Sequence, residues 1–224
     1  MLKDFIHTLF PDCCIVCSQT LITQESHLCL HCEQELPLTY SHQHNGMDLS
    51  QRFFGRIRLS SVNAYLKFYH EGIVQKLSHQ IKYDNNPDLA TYLGKKYGEV
   101  LKAHLNIEKE WVLVPVPLHK RKLLKRGYNQ SMAFALGLSE TLGLTLDENL
   151  LIRIKPGSTQ TNKSRMDRWD NVSAIFRTTD SVEGKKIILV DDVLTTGATL
   201  EACGQALVKQ GCKELSIIVL ASAM

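Results

Sequence analysis

The 224-residue sequence lacks any apolar run near the roughly 18 residues that a membrane-spanning helix requires. Its opening stretch, MLKDFIHTLFPDCC, breaks a short apolar run with Asp4 and makes a poor secretory signal. The expectation is a soluble, cytoplasmic protein with no membrane insertion. An excess of one charge sign is also missing. The 26 basic and 23 acidic side chains leave a formal net charge of +3, so no global field selects the partner. No internal repeat or low-complexity tract is present, and 44% apolar with 22% charged residues excludes a fibrous or disordered chain. What remains is the length of one ordinary domain with a small appendage.

The charge that is present is uneven. Five of the seven residues from Lys120 to Arg126 are basic, and Arg153, Lys155, Lys163, Arg165 and Arg168 follow with Asp167 as the one acid among them. The middle of the chain therefore attracts anions more than its ends do.

Five of the seven cysteines fall in CCIVCSQTLITQESHLCLHC, at 13–32. In a cytoplasmic chain they call for an explanation other than stable disulfides. Cys14-x-x-Cys17 and Cys29-x-x-Cys32 have the spacing at which two thiolates on a tight turn meet one tetrahedral Zn²⁺, and two such turns supply four ligands. Four thiolates leave no position for water, so the role is structural, and the metal supplies stability that so few large apolar residues cannot. Cys13 is an alternative to Cys14, and His27 or His31 to one thiolate; the evenly spaced pairs are favoured. Cys203 and Cys212 read as core.

The polar stretch LTYSHQHNGMDLS has turn formers and no apolar period, which reads as a connection whose His42 and His44 are solvated. Beyond it, SVNAYLKFY is β-rich, and Ile73, Leu77 and Ile81 have helical spacing. A longer helix follows Asn86, with Pro87 in its first turn, and runs to about His104. WVLVPVP is a buried strand ended by its prolines, followed by a basic loop and a helix over about 129–142. Strand-like pieces at 150–154 and 174–177 precede a strand at 187–190, a helix over about 197–210 stopped by Gly211, and the final apolar strand LSIIVLASA. Strands alternating with helices predict an α/β fold with a mostly parallel sheet flanked by helices.

In IILVDDVLTTGATLEA the apolar strand runs into two adjacent carboxylates and then a threonine-rich turn around Gly197. Ligands of parallel sheets gather at the carboxyl ends of strands. The first amides of the next helix have no intrahelical partner and carry partial positive charge. Gly197 permits close backbone approach, and Thr195, Thr196 and Thr199 add hydroxyl donors, which together make a cradle for one phosphate. Asp191 and Asp192 can accept from the vicinal hydroxyls of a sugar, so the stretch suits a sugar phosphate. No lysine follows the glycine, which makes a Walker-type loop a poor fit.

These residues resemble the phosphoribosyl-pyrophosphate (PRPP) motif of type I phosphoribosyltransferases. The resemblance implies that Asp191 and Asp192 contact the ribose hydroxyls, that Thr195, Thr196, Gly197, Ala198 and Thr199 hold the 5′-phosphate, and that PRPP arrives as a Mg²⁺ complex. VPVPLHKRKLLKRGYNQS at 114–131, IKY at 81–83, RIKPGSTQTNKSRMDRWDNVSAIF at 153–176 and the cysteine knuckle preceded by Phe10-Pro11 are similar to the marks of the ComF family of competence-associated proteins. The implied organisation is a Cys₄ zinc module at 1–40, a linker at 41–60 and a phosphoribosyltransferase-like domain at 61–224.

By the same resemblance His119 and Lys120 face the pyrophosphate, with Arg121 beside them, and the segment 159–168 is a hood from which Lys163 and Arg165 reach the diphosphate. ComF resemblance further implies handling of single-stranded DNA during natural transformation, with competence-machinery proteins as partners. Arg121, Lys122, Lys125 and Arg126 would follow the phosphates, and Tyr128 and Trp169 stack on bases. No carboxylate or histidine is spaced to deprotonate an acceptor. A phosphoribosyltransferase of unknown acceptor, a PRPP-binding DNA handler and a non-catalytic adaptor therefore stay open at this point.

Overall fold

The apolar runs become a parallel sheet in the computed structural model, which describes residues 11–44, 46–154 and 175–223. The main strands are β1 (Ser61–Phe68), β2 (Trp111–Pro115), β3 (Thr145–Leu146), β6 (Lys186–Leu194) and β7 (Glu214–Ala223). They lie in the order β1-β7-β6-β2-β3, and every pairing is parallel. Two further strands, β4 (Leu151–Arg153) and β5 (Phe176–Thr178), form a separate antiparallel ribbon. This is the expected α/β architecture, a mostly parallel sheet flanked by helices, with a four-cysteine cluster at its N-terminal side.

Strand alternation divides the interior into two cores. Ile188 and Val190 of β6 and Ile218 and Leu220 of β7 face helices α3 (Ile73–Tyr83), α4 (Pro87–His104) and α6 (Gln130–Leu142). Ile187, Leu189, Ile217 and Val219 face α7 (Ala198–Lys209) on the other side. The helix ends follow their capping chemistry. Asn86 accepts from the Leu89 amide at 3.1 Å ahead of Pro87, Asn129 accepts from Ser131 at 3.1 Å, and Gly143 closes α6 with a left-handed φ of 67°. Helices α4 and α6 touch backbone to backbone: a Cβ on Gly94 would lie 2.3 Å from the Phe134 carbonyl, and one on Gly137 2.1 Å from that of Thr91.

Three elements differ from the sequence reading. Lys120–Arg126 is not a loop but a short helix, α5, capped by His119, whose Nδ1 accepts from the Arg121 amide, and ended by Gly127 in the left-handed region. None of its residues is buried, so it has no apolar face for periodicity to reveal. The strand expected at 187–190 continues to Leu194, because its ladder with β7 persists from Asp191↔Val219 to Leu194↔Ser222 after hydropathy falls. The carboxylates thus belong to the strand itself.

The third difference is the polar connection, which carries the short helix α2 (Met47–Ser50) between two 3₁₀ turns, Ser41–His44 and Gln51–Phe53. Leu49 and Phe53 enter the α7-side core, and the Ser41 hydroxyl and the Ala64 amide are joined at 3.0 Å. His42, expected in solvent, is buried with its ring 4.7 Å from that of His104, while His44 is exposed as expected. Among the described residues no helix is long and apolar enough to cross a membrane.

Candidate functional site: an acid-lined cleft and a cysteine cluster

Strand β2 stops at Pro115, opposite Val190, and the Val116 amide donates to the Val190 carbonyl at 2.8 Å as the chain turns away. From Asp191 onward β6 keeps its β7 neighbour and loses its β2 neighbour. The chain leaves β2 toward β3 and leaves β6 toward β7, in opposite directions, so the gap between them is a topological switch point. A cleft of about 190 Å³ occupies it, lined by Lys82, Lys122, Arg126, Ser131, Arg153, Asp191, Asp192 and Thr199 among others.

Both carboxylates are half-buried and each has a fixed partner. The Ser131 hydroxyl donates to Asp191 at 2.8 Å, and the Lys82 ammonium lies 2.9 Å from Asp192. Burial, with the charge of Asp192 beside it, pushes the Asp191 carboxyl up to about 7; the Ser131 hydroxyl, the Asp192 amide and Lys82 pull the other way and are outweighed. An acid pair, with Asp191 poised near neutrality and with Lys82, Lys122, Arg126 and Arg153 around it, can take a ligand that is itself both hydroxylated and strongly anionic.

The turn after β6 completes the wall. Thr195 and Thr196 are exposed, and Gly197 is the N-cap of α7 at φ 79° with no side-chain cap. Among the described residues no backbone acceptor meets the Thr196 or Gly197 amide. A Cβ on Gly197 would lie 2.9 Å from the Phe53 ring, so both conformation and space require glycine there.

Of the residues expected at a sugar phosphate, the structure brings Asp191, Asp192 and Thr199 to the cleft lining. It leaves Thr195, Thr196, Gly197 and Ala198 on the adjoining turn, and uses His119 to cap α5, with Lys120 exposed beside it. Of the residues expected at nucleic acid, Lys122 and Arg126 line the same cleft, and Arg121 and Lys125 are exposed. Tyr128 turns its hydroxyl inward to donate to the Ile81 carbonyl. Lys163, Arg165, Trp169 and the segment 159–168 lie outside the described residues.

Four polar cleft residues were assigned to no site in the sequence reading: Lys82, Gln130, Ser131 and Arg153. Each sits inside a quoted motif (IKY, NQS or RIK), yet no spacing along the chain links those motifs to the acids. An exposed aromatic was missed too. Lys125 and Arg126 lie 5.7 and 5.9 Å from the ring centre of Tyr83, which the same IKY contains.

The second site is local. The sulfurs of Cys14, Cys17, Cys29 and Cys32 all lie within 4.8 Å of one another. Cys17 Sγ and Cys29 Sγ are 3.7 Å apart, against about 3.8 Å for the edge of a tetrahedron built on Zn–S bonds. Cys13 points elsewhere, with its thiol 3.4 Å from the Pro11 carbonyl. Burial and the neighbouring sulfurs push the Cys32 thiol far up. At Cys14 burial acts in the same sense but is outweighed by the Cys17, Cys29 and Val16 amides, which bring the thiol down to about 6. Four sulfurs this close cannot all ionise without a cation among them, which is the condition a bound metal meets.

A sequence model of the phosphoribosyl transferase domain matches residues 129–224. The chain is 31% identical over 207 residues to the DNA utilization protein YhgH of Escherichia coli (strain K12), which spans 91% of this chain and 87% of that one. It is 27% identical over 224 residues to competence protein F of Haemophilus influenzae, covering 94% of this chain and 96% of that protein. With competence protein ComFC of Bacillus subtilis (strain 168) it shares 35% identity over 104 residues, which is 46% of this chain and 41% of that one.

Proposed function

The chain belongs to the ComF family, and from that premise we propose that it binds PRPP with Mg²⁺ in the β2–β6 cleft and handles single-stranded DNA in the cytoplasm during natural transformation. The observation that carries the first half is the meeting, at one switch point, of an acid pair, a helix start with no side-chain cap and four cations from three different elements. In this reading Asp191 and Asp192 accept from the 2′- and 3′-hydroxyls of the ribose. The Thr195–Thr199 turn takes the 5′-phosphate on its amides and hydroxyls. Lys82, Lys122, Arg126 and Arg153 offset the charge of the diphosphate, with Lys163, Arg165, His119 and Lys120 as further candidates.

The oxygen donors of the cleft suit a hard divalent ion that is shared with the ligand rather than caged by protein. Bound with PRPP, Mg²⁺ supplies charge neutralisation on the diphosphate. In the cysteine cluster Cys14, Cys17, Cys29 and Cys32 hold Zn²⁺ as a structural ion that organises the N-terminal module.

The DNA half rests on the names of the relatives and on the surface of α5. Its cations have no acidic neighbour on the helix, and Tyr83 offers an exposed ring beside Lys125 and Arg126 for a base to stack on. Competence-machinery proteins are the partner class that the relatives' names support.

Titration calorimetry with PRPP and Mg²⁺, followed by incubation with mixed nucleobases, tests the reading. The expected result is saturable binding with no base-dependent pyrophosphate release, together with single-strand affinity that falls steeply with salt as counterions are released. Release that depends on one base would make the protein a transferase instead. Absence of PRPP binding would remove the sugar-phosphate assignment.

A further inference from the structure

The segment 52–56, between the cysteine module and β1, grips the anion-binding turn at three successive points. Arg52 Nη1 donates to the Thr195 carbonyl at 2.9 Å, and Nη2 donates to the carbonyl of Ala223 at the end of β7. Phe53, almost completely buried, lies against Gly197 so closely that no side chain fits between them. Arg56 pairs with Glu201 in the first turn of α7 at 3.4 Å. The segment therefore brackets the turn from its first residue to the helix start.

We propose that Arg52 is a positioning residue for the 5′-phosphate, fixing the Thr195–Thr196 peptide so that its amide is presented to the anion. In a trans peptide the C=O and N–H point in opposite directions across the plane. A guanidinium that captures the Thr195 carbonyl thus directs the Thr196 amide to the other side of the turn from Arg52. Among the described residues no backbone acceptor meets that amide. The second bond, to Ala223, ties the guanidinium to the sheet, so the plane is held against the scaffold and not against another mobile side chain. Arg52 also sets a positive charge behind the turn. Lysine has no planar fork to bridge two carbonyls in this way.

The inference rests on the phosphate reading of the turn, so its test separates the two. Ribose 5-phosphate and inorganic pyrophosphate are titrated calorimetrically into the full-length protein and into Arg52→Met and Arg52→Lys variants, with melting temperatures recorded for each. The expected result is ribose 5-phosphate affinity about tenfold weaker in Arg52→Met, from loss of charged hydrogen bonds that order the site, and intermediate in Arg52→Lys. Pyrophosphate affinity, which draws on the cations across the cleft, changes less than about twofold. Equal weakening of both ligands, or unchanged ribose 5-phosphate affinity in folded variants, overturns the inference while leaving the sugar-phosphate reading intact. Failure of the wild-type protein to bind ribose 5-phosphate overturns that reading and the inference with it. Should Arg52→Met not fold, Arg52→Lys carries the same comparison, because its retained charge isolates the two-carbonyl bridge.

Discussion

Between Cys14 and Cys32 one stretch of chain closes on itself, and every sulfur of the cluster comes from two turns. The cleft over Asp191 is lined from α3, the turn after β2, α5, α6, β4, β6 and α7. The first site is set by local spacing, and its four sulfurs need a shared cation to be ionised together. The second is assembled by the sheet and its crossovers, with Ser131 and Lys82 as the partners of its acids. Damage to the first should therefore appear as lost structure, and damage to the second as lost affinity.

The largest effect expected is at the cluster. Cys29→Ser should abolish stoichiometric zinc, read by elemental analysis, and expose the N-terminal module to limited proteolysis. Structural zinc contributes on the order of 10 kcal/mol in isolated fingers, so partial occupancy is not expected. Sugar-phosphate affinity should stay within about twofold if the two sites are as separate as their assembly implies. The converse change, Asp191→Asn with Asp192→Asn, should weaken PRPP–Mg²⁺ binding roughly a hundredfold, since two charge-assisted acceptors are lost, while zinc content stays unchanged. Zinc loss in the acid variant, or lost affinity in the cysteine variant, would merge the two sites into one.

The same difference in assembly decides how much the sequence discloses. Two Cys-x-x-Cys turns and the run from Ile187 to Thr199 are contiguous, so their chemistry is legible from residue types alone. The alternation of strands and helices likewise discloses the parallel sheet. Lys82, Ser131 and Arg153 reach Asp192, Asp191 and the shared cleft only because three crossovers bring their elements to one sheet edge, which no spacing encodes. Helix α5 hides because none of its residues is buried, with Leu124 86% exposed, leaving no apolar period to read. The Arg52–Phe53 clamp hides inside a polar stretch whose two buried apolar side chains, Leu49 and Phe53, look incidental until the turn they support is seen.

A smaller effect distinguishes the acids from each other. The Asp191 carboxyl, raised to about 7, binds a proton in the folded state that the unfolded chain releases near its ordinary value of 3.8. The folded protein therefore holds more protons over that interval, and its stability falls as pH rises from about 4 toward 7. Ligand affinity should move oppositely, rising through pH 7 as the carboxylate forms. Asp191→Asn, which stays neutral, should flatten this part of the melting-temperature profile and raise stability at pH 8. A wild-type profile that is already flat there would mean that Ser131 and Lys82 compensate the charge fully.

The smallest expected effect lies where the two regions touch. Glu33, one residue beyond the last cysteine of the cluster, pairs with Lys96 at 2.7 Å and accepts from the Tyr92 hydroxyl at 2.6 Å, so helix α1 (Leu30–Gln34) is fastened to α4. Burial raises its carboxyl, but the Lys96 and Tyr92 bonds outweigh that and hold it below the usual carboxylate value. Its contribution is present above the unfolded value and is lost as pH falls through the folded one. Glu33→Gln should cost about 1 kcal/mol at neutral pH by denaturant unfolding, because the glutamine carbonyl still accepts from Tyr92 while the ion pair is gone. Combined with Cys29→Ser, the two losses should fall short of their sum, since a module already loosened by metal loss no longer holds Glu33 against α4. Strict additivity would mean that the cysteine module docks equally well without its metal, and the contrast between a site made by its ion and a site made by its scaffold would not hold.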